Sequence, residues 1–481
     1  MLRNILFAGV TLLSGVAAAE RPHPVQQADG SVELNGKVYA STHDWLTSPE
    51  FQAAGGRCGT ERAPLLSPVI AQSDCTMAIT HINQDYNDDR TFVIQVAMHI
   101  VSKTDGTGSI TDDQVTSQIQ ILNDDYQAAA NSHGAPGTNG KIKFVLARFD
   151  PMGNPSTGID RVTNDTYFAE GDPGTSAMKT ALHWDTTRYL NLYSSGLDTA
   201  GLLGYATFPQ ESAGQADDGV VLAYQSVGAN PAYTPYDLGA SATHEIGHYF
   251  GLFHPFQGAC GSASQPYTSG DLILDTPRDK AAHYDCTPTP SECNEAGAMV
   301  PIDDYMEYTT DACMTKFTPE QVNRARCGIV NYRTINTEPK ALFTFASTAL
   351  VTTFTNTSTD AESTATQLHY NWDFGDGMTG TDQNPVHTYA AAGSYNVTLE
   401  VVDPGSAAST SKQTVVVAAV GGNGSGSGSG NGNGGGDAGI GGGDDGGAGS
   451  PGGCCSANGG DLSFLLSGAP IAFVLLRRRR R

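Results

Sequence analysis

Three histidines and one glutamate lie within eleven residues, which read His244-Glu245-Ile246-Gly247-His248-Tyr249-Phe250-Gly251-Leu252-Phe253-His254. The first two histidines are four residues apart, so on a helix both imidazoles project from one face. Gly251 can end that helix in the left-handed conformation, which lets the chain turn back and bring His254 to the same point. Three nitrogen ligands that leave a fourth position open are typical of a catalytic zinc site. The segment therefore predicts one zinc ion held by His244, His248 and His254.

Glu245 follows the first of these histidines and is expected to face the open side of the metal. A carboxylate there can take a proton from the attacking water and pass it to the leaving amine, which is the chemistry of peptide-bond hydrolysis. The alternative, a surface helix with unrelated histidines, gives no reason for Gly251 and His254 at this spacing. We therefore predict a zinc metalloendopeptidase with Glu245 as general base.

The elements that must position these residues are visible in the hydrophobic pattern. No proline interrupts residues 237–243, so the segment before His244 is compatible with a helix. Thr111 is a suitable N-cap for a helix that continues to Ala130, and a further helix is predicted after Thr318, with Pro319 at its first position. Apolar, β-rich runs predict four strands, at Phe92–Val101, Lys141–Phe149, Tyr189–Tyr193 and Gly219–Tyr224.

The histidine motif resembles that of the metzincin metallopeptidases, whose pattern His-Glu-x-x-His-x-x-Gly-x-x-His is followed by a Met-turn. The downstream sequence Tyr305-Met306-Glu307-Tyr308 is similar to that turn. The resemblance implies that Met306 forms the hydrophobic floor below the zinc and that Tyr308 helps to stabilise the oxyanion. The alternative role of Met306 is that of an ordinary core residue.

Within the metzincins, residues 91–335 most resemble the pappalysin family, including its ulilysin-like members. The resemblance is carried by four blocks, Gly270–Pro277, Tyr305–Tyr308, Cys313-Met314 and Phe317–Gln321. It implies an α+β catalytic domain of the metzincin-type zincin fold over residues 91–336. In that fold, a mixed twisted sheet and the active-site helix precede an irregular C-terminal subdomain.

Four cysteines follow the motif, and their order alone allows three disulfide connectivities. The family resemblance implies the pairs Cys260–Cys293 and Cys286–Cys313. It also implies a structural calcium site formed by Asp271, Asp275 and Thr276, because hard oxygen ligands suit calcium. The alternative is an ordinary solvated loop.

Family members can favour a basic residue just after the scissile bond, using an acidic side chain near the last of these cysteines. Here Ala312 directly precedes Cys313, and Asp311 is one position further back, which departs from the family pattern. Asp311 is the candidate specificity residue.

Residues 1–19 have the three-part layout of a signal peptide, which predicts export to an extracellular or cell-surface location. Residues 20–90 are expected to be a propeptide or an N-terminal extension, and cleavage near Arg90 would release the mature enzyme. Within them, Arg57-Cys58-Gly59-Thr60 resembles the cysteine-switch segment of related zymogens, in which a thiolate occupies the open zinc position. The alternative is a disulfide from Cys58 to Cys75 or Cys327; if Cys58 is free, those two can pair with each other.

The C-terminal third predicts further modules. Residues 339–420 resemble a PKD (polycystic kidney disease) domain, a small all-β Ig-like sandwich, through Trp372–Gly377, Pro385–Tyr389 and Gly393–Leu399. Such domains are spacers or bind extracellular polymers or proteins. A non-catalytic adhesin that uses this domain is therefore the alternative function, although it would not need Glu245.

The end of the chain predicts processing at a membrane. Residues 421–460 are a glycine-rich linker, and residues 461–481 combine a short apolar stretch with five arginines. This layout resembles bacterial GlyGly-type sorting tails and implies membrane association or surface anchoring until the tail is processed. The chain has 26 basic and 50 acidic residues, a formal charge of −24, which argues against nucleic acid as a partner. Protein or peptide substrates are the expected partners.

Overall fold

The computed structural model describes residues 25–26, 31–34, 36–40, 44, 48–50, 57–60, 89–169, 177–197, 202–264 and 270–419. The predicted signal peptide, the cysteines 75, 454 and 455, and the predicted linker and tail lie outside these residues. Among the described residues, no helix has the length and apolar character needed to cross a bilayer.

A six-stranded sheet forms the centre of the α/β part. Its longest strand, β4 (Phe92–Ser102), is apolar and almost completely buried, as expected for a strand covered on both faces. It is parallel to β5 (Ile142–Leu146) and β6 (Ile159–Thr163) along one edge and to β7 (Leu190–Ser195) along the other. Beyond β7 lie β9 (Val220–Ala223) and then β8 (Gly204–Ala206), which is antiparallel to β9 and forms the edge of the sheet. Three short antiparallel strands, β1 (Val25–Gln26), β2 (Val32–Leu34) and β3 (Lys37–Tyr39), make a separate sheet near the N-terminus.

Six α-helices are present in the described part of the chain: α1 (Asp112–Tyr126), α2 (Asp165–Phe168), α3 (Ala177–Leu182), α4 (Pro209–Ser212), α5 (Ala240–Tyr249) and α6 (Pro319–Tyr332). The capping predictions are confirmed, because Thr111 and Thr318 each form a capping box at the start of α1 and α6. Helix α1 ends four residues before the predicted Ala130. The reason is that Ala128 and Asn131 take positive φ angles of 46° and 67°, which turn the chain away from the helix axis.

The segment between α5 and α6 is irregular and is cross-linked by two disulfides. Cys260 is bonded to Cys293 and Cys286 to Cys313, the two pairs that the family resemblance implies. Cys58 is a free, buried cysteine, so the alternative disulfide for this residue is wrong. Cys327 is disulfide-bonded.

A β-sandwich follows α6. One sheet contains β10 (Phe343–Thr348), β11 (Val351–Asn356) and β14 (Val386–Thr388), and the other contains β13 (Thr379–Gly380), β12 (His369–Asp373), β15 (Gly393–Val402) and β16 (Ala408–Val417). All neighbouring strands are antiparallel. Trp372 and Tyr389 lie in the core between the sheets. Asp373 and Asp376 each accept a backbone hydrogen bond within the connecting turn.

Candidate active site

Helix α5 lies beside the edge strand β8 and carries the first two histidines. It begins after Gly239, whose φ of 79° suits glycine. The backbone amides of Leu238, just before the helix, and Ala240, its first residue, donate to the buried carboxylate of Asp311. An acidic group at this end complements the helix dipole. The helix ends at Tyr249, and Gly251 has the left-handed conformation that the sequence predicted, with φ 97°. The chain then turns back towards the helix.

This turn brings the three histidines together. Nε2 of His254 lies 3.2 Å from Nε2 of His244 and 2.9 Å from Nε2 of His248. The Nδ1 atoms of His244 and His248 each lie 2.7 Å from a backbone carbonyl oxygen, of Tyr305 and Leu252 respectively. Both Nδ1 atoms must therefore donate, so both Nε2 atoms present lone pairs to the same point.

The electrostatics of this cluster favour a bound cation. Burial lowers the pKa of His244 well below its usual value and that of His248 to about 4, so both rings are neutral ligands at neutral pH. Converging lone pairs at these distances repel one another unless a positive ion lies between them. The donor set of three imidazoles therefore fits zinc.

Met306 of the Met-turn is fully buried beside helix α5. Its sulfur packs against Gly247 of α5, where an added Cβ would be only 2.4 Å from Sδ. Glycine at position 247 thus allows the Met-turn to approach the helix between the two histidine ligands.

Asp125 of α1 connects the helix to the Met-turn and was not predicted from the sequence. Its carboxylate accepts a hydrogen bond of 2.6 Å from Thr243 Oγ1 and another of 2.6 Å from the Tyr305 hydroxyl. Thr243 directly precedes His244, and the Tyr305 carbonyl receives the hydrogen bond from His244 Nδ1. Asp125 therefore supports the orientation of His244 from two sides.

Glu245 is buried beside the histidine cluster, against the edge strand. An added Cβ at Gly204 would lie 2.7 Å from its Cγ, so β8 can approach only because residue 204 is glycine. Burial raises the pKa of Glu245 to about 8. Its Oε2 accepts hydrogen bonds from Thr60 Oγ1 at 2.9 Å and from the Cys58 thiol at 3.3 Å.

Residues 57–60 run parallel to β8 and are joined to it by a single bridge. Cys58 pairs with Gly204, and Gly59 N donates to the Gly204 carbonyl at 2.8 Å. Cys58, His244, His248 and His254 have possible ligand atoms within 4.8 Å of one another, and all four residues are buried. The sulfur therefore lies at the open side of the histidine cluster. The Tyr308 hydroxyl donates to the Cys58 carbonyl at 3.3 Å.

Arg57, just before Cys58, fills a buried pocket next to the site. Its Nη1 and Nη2 lie 3.5 and 3.4 Å from Asp311 Oδ1, and its guanidinium lies over the Tyr236 ring, 4.9 Å from the centroid. Met314 closes the pocket, with Sδ 2.9 Å from Nη2. Burial raises the pKa of Asp311, and the arginine opposes that shift.

The three residues expected to bind calcium lie in different surroundings. Asp271 Oδ2 and Thr276 Oγ1 are buried and have no hydrogen-bond partner in the described part of the chain. Asp275 instead accepts from Thr318 Oγ1 at 2.7 Å and from Glu320 N at 3.0 Å, so it caps α6.

Sequence reasoning thus missed Arg57, Thr60, Asp125 and Tyr236 as parts of the site. The first two were inside the quoted cysteine-switch segment but had no assigned role. No local pattern distinguishes Asp125 or Tyr236 from other residues of a helix or a loop.

Comparison with known proteins identifies two regions of the chain. The family described as pregnancy-associated plasma protein-A, peptidase M43, matches residues 174–330, and a PKD domain matches residues 336–418. An extracellular metalloprotease of Pyricularia oryzae is 30% identical over 286 residues, which are 58% of this chain and 89% of that protein. One from Verticillium alfalfae is 35% identical over 250 residues, 50% of this chain and 78% of that protein. Both relatives are fungal, so the bacterial source implied by the tail stays a prediction.

Two solved structures are also similar. Mature mirolysin of Tannerella forsythia, in complex with a cleaved peptide, is 36% identical and matches 49% of this chain and 90% of its own, with a TM-score of 0.42. The PKD1 domain of Vibrio anguillarum Epp is 33% identical and matches 18% of this chain and 98% of its own, with a TM-score of 0.17.

Proposed function

Because this chain belongs to the peptidase M43 family and is a metallopeptidase with a PKD domain, we propose that it is an exported zinc metalloendopeptidase that hydrolyses extracellular proteins. The observation that carries the proposal is the convergence of three imidazole Nε2 atoms beside the carboxylate of Glu245. The adhesin alternative has no comparable support, since the relatives are extracellular metalloproteases.

His244, His248 and His254 would hold the zinc, which supplies a Lewis acid that polarises the scissile carbonyl and makes water more acidic. Glu245 takes a proton from the attacking water and delivers it to the leaving amine. Its pKa of about 8 results mainly from burial, while the hydrogen bonds from Cys58 and Thr60 and the charge of Arg57 oppose that shift. Removal of residues 57–60 would free the Glu245 carboxylate from Thr60 and Cys58 and give the attacking water access to it.

Tyr308 acts as a hydrogen-bond donor to the oxyanion. In this structure its hydroxyl donates to the carbonyl of Cys58, which stands where the carbonyl of a substrate would lie. Burial raises the pKa of Tyr308 well above 10, so it stays protonated during turnover.

The test is casein hydrolysis by the processed protein before and after treatment with a zinc chelator. We expect activity to disappear on chelation and to return with added zinc. Undiminished hydrolysis in the zinc-free protein would contradict the proposed metal dependence, and inactivity of the zinc-loaded protein on many substrates would favour the adhesin.

The precursor is kept latent by residues 57–60. Cys58 blocks the open side of the histidine cluster. The Thr60 hydroxyl and the Cys58 thiol both donate hydrogen bonds to Glu245 Oε2. Cleavage near Arg90 removes this block. The proposed domains are signal peptide 1–19, catalytic domain 91–336, PKD domain 339–420, linker 421–460 and sorting tail 461–481. The further processing boundaries are the end of the signal peptide and the start of the sorting tail. Mass spectrometry of the mature termini tests these boundaries, and a mature protein that retains residues 57–60 would contradict the latency proposal.

The specificity pocket favours a basic residue directly after the scissile bond, in the ulilysin-like manner. The Arg57 guanidinium already occupies this pocket against Asp311 and Tyr236, as a substrate arginine would. We expect the Asp311→Asn variant to lose this preference in a peptide-library digest. Asp303→Asn is the matched control, since Asp303 pairs on the surface with Lys316.

A calcium ion bound by Asp271 and Thr276 would satisfy their unpartnered oxygens. Burial raises the pKa of Asp271 well above its usual range, and a bound cation would offset this cost. Calcium should therefore raise the melting temperature of the wild type more than that of Asp271→Asn. An equal response of both proteins would refute this site.

A further inference from the structure

The segment between α6 and the β-sandwich is bonded to the catalytic domain along its length. Arg333 Nη2 donates to the carbonyl of Tyr249 at 3.0 Å, at the end of the active-site helix. Val93 N donates to the Asn336 carbonyl at 2.8 Å, and Thr337 pairs with Phe92 at the start of β4. A swinging module needs a loosely attached linker, which this segment does not provide.

The turn between β15 and β16, residues 403–407, enters the catalytic domain. Ser406 in this turn is 2% exposed and has a φ of 67°, an unusual conformation for serine. Its hydroxyl accepts from the backbone amide of Arg148 at 2.9 Å and donates to Gln95 Oε1 at 3.0 Å. Strand β5 ends at Leu146, before the predicted Phe149, because β6 pairs with β4 from Met98 onward.

The rest of the turn is fixed by the Asn336 amide. Asn336 Nδ2 donates to the Gly405 carbonyl at 3.2 Å and lies 3.5 Å from Asp403 Oδ1, while Arg188 Nη2 donates to the Pro404 carbonyl at 3.3 Å. Asp403 is fully buried. A Cβ added to Gly405 would lie 2.4 to 2.6 Å from the three side-chain atoms of Asn336.

Two contacts at the rim extend this interface. Arg148 forms an ion pair of 2.8 Å with Glu400 of β15, and the Phe149 ring stacks on His369 of β12 with centroids 4.1 Å apart. The interface therefore combines a buried polar centre, in which the buried groups are hydrogen-bonded, with an ionic and aromatic rim.

We propose that the PKD domain is a fixed structural part of the peptidase, docked through the 403–407 turn onto a surface formed by Gln95, Arg148, Arg188 and Asn336. Its function there is to hold the Arg333–Asn336 segment, and through it the end of the active-site helix. The domain thus stabilises the catalytic domain and does not swing as a spacer.

The test is calorimetric unfolding of the full chain in a Glu245→Ala background, which prevents self-digestion. We expect the catalytic and PKD domains of this reference protein to unfold in one cooperative transition. The Gly405→Ala substitution forces the Asn336 amide away from the turn. It should lower the transition by roughly 2–10 °C or split it into two. Gly393→Ala is the control, because its Cβ would meet only ordinary contacts with Tyr395.

A charge exchange at the Arg148–Glu400 ion pair tests the same interface at a second contact. Arg148→Glu faces Glu400 with a like charge and should accelerate proteolysis of the segment at residues 333–340. The double variant with Glu400→Arg should restore the original resistance. Two independent transitions in the reference protein, a Gly405→Ala protein identical to its control, or failure of the double variant to recover would each overturn the proposal.

Discussion

Replacement of Asp125 by asparagine tests how the zinc ligands are held. The carboxylate has two acceptor oxygens, one for the Thr243 hydroxyl and one for the Tyr305 hydroxyl. An amide has nearly the same shape but only one acceptor oxygen, because its nitrogen donates. The substituted side chain can therefore accept from only one of the two hydroxyls in the same geometry.

The magnitude follows from the burial of this cluster. A buried hydroxyl left without its acceptor costs about 1–3 kcal/mol. Movement of Thr243 or Tyr305 can recover part of that free energy. Either movement shifts His244, because Thr243 directly precedes it and its Nδ1 donates to the Tyr305 carbonyl. Substitutions of groups that orient metal ligands typically weaken metal binding by about 10–100-fold. We expect a weakening of zinc binding in this range.

The assay is competition for zinc between the processed protein and a fluorescent chelator. Asp124→Asn is the matched control, since Asp124 is the preceding residue of the same helix and contacts Gln120 on the surface. The control should bind zinc like the wild type. If Asp125→Asn also bound zinc with wild-type affinity, the proposed support of His244 through Asp125 would be refuted.

Three further predictions concern the Met-turn, the domain interface and latency. Gly247→Ala would ordinarily favour the helix, but its Cβ would lie 2.4 Å from Met306 Sδ, so thermal unfolding should show a loss of about 1–3 kcal/mol rather than a gain. Burial raises the pKa of Asp403 from 3.8 to about 7, so the folded state retains a proton that the unfolded state has lost, and stability should fall as the pH rises from near 4 towards 7. The Asp403→Asn variant should lack this decline in melting temperature; an equal decline would assign it to other groups. Cys58→Ala should make the uncleaved precursor active on a peptide substrate, and an inactive uncleaved variant would show that the thiol is not needed for latency.

The helical parts of the site were predictable because local rules determine them. A four-residue spacing places His244 and His248 on one face of the helix. Gly251 favours the left-handed conformation that ends the helix, which is a property of the residue itself. The caps at Thr111 and Thr318 were equally predictable from side-chain chemistry within one turn of helix. The disulfides were different, because their order allowed three pairings and only the family resemblance selected one.

Contacts between distant segments could not be predicted in this way. Asp125 is 118 residues from Thr243, and nothing in the pattern of α1 indicates which side chains face α5. Strand β8 has only three residues, too few for an alternating pattern, although it forms the rim of the site. Arg57 meets Asp311 only because residues 57–60 pair with this strand.

Peptide-bond hydrolysis by this protein is proposed to depend on Glu245 acting beside a bound zinc. The decisive measurement is the peptide hydrolysis rate of processed wild type and Glu245→Gln, each with its zinc content determined in the same sample. We predict one zinc per chain in both proteins and a rate lower by a factor of about 10²–10⁴ in the variant. A zinc-loaded Glu245→Gln protein that cleaves the peptide at the wild-type rate would contradict the proposed mechanism.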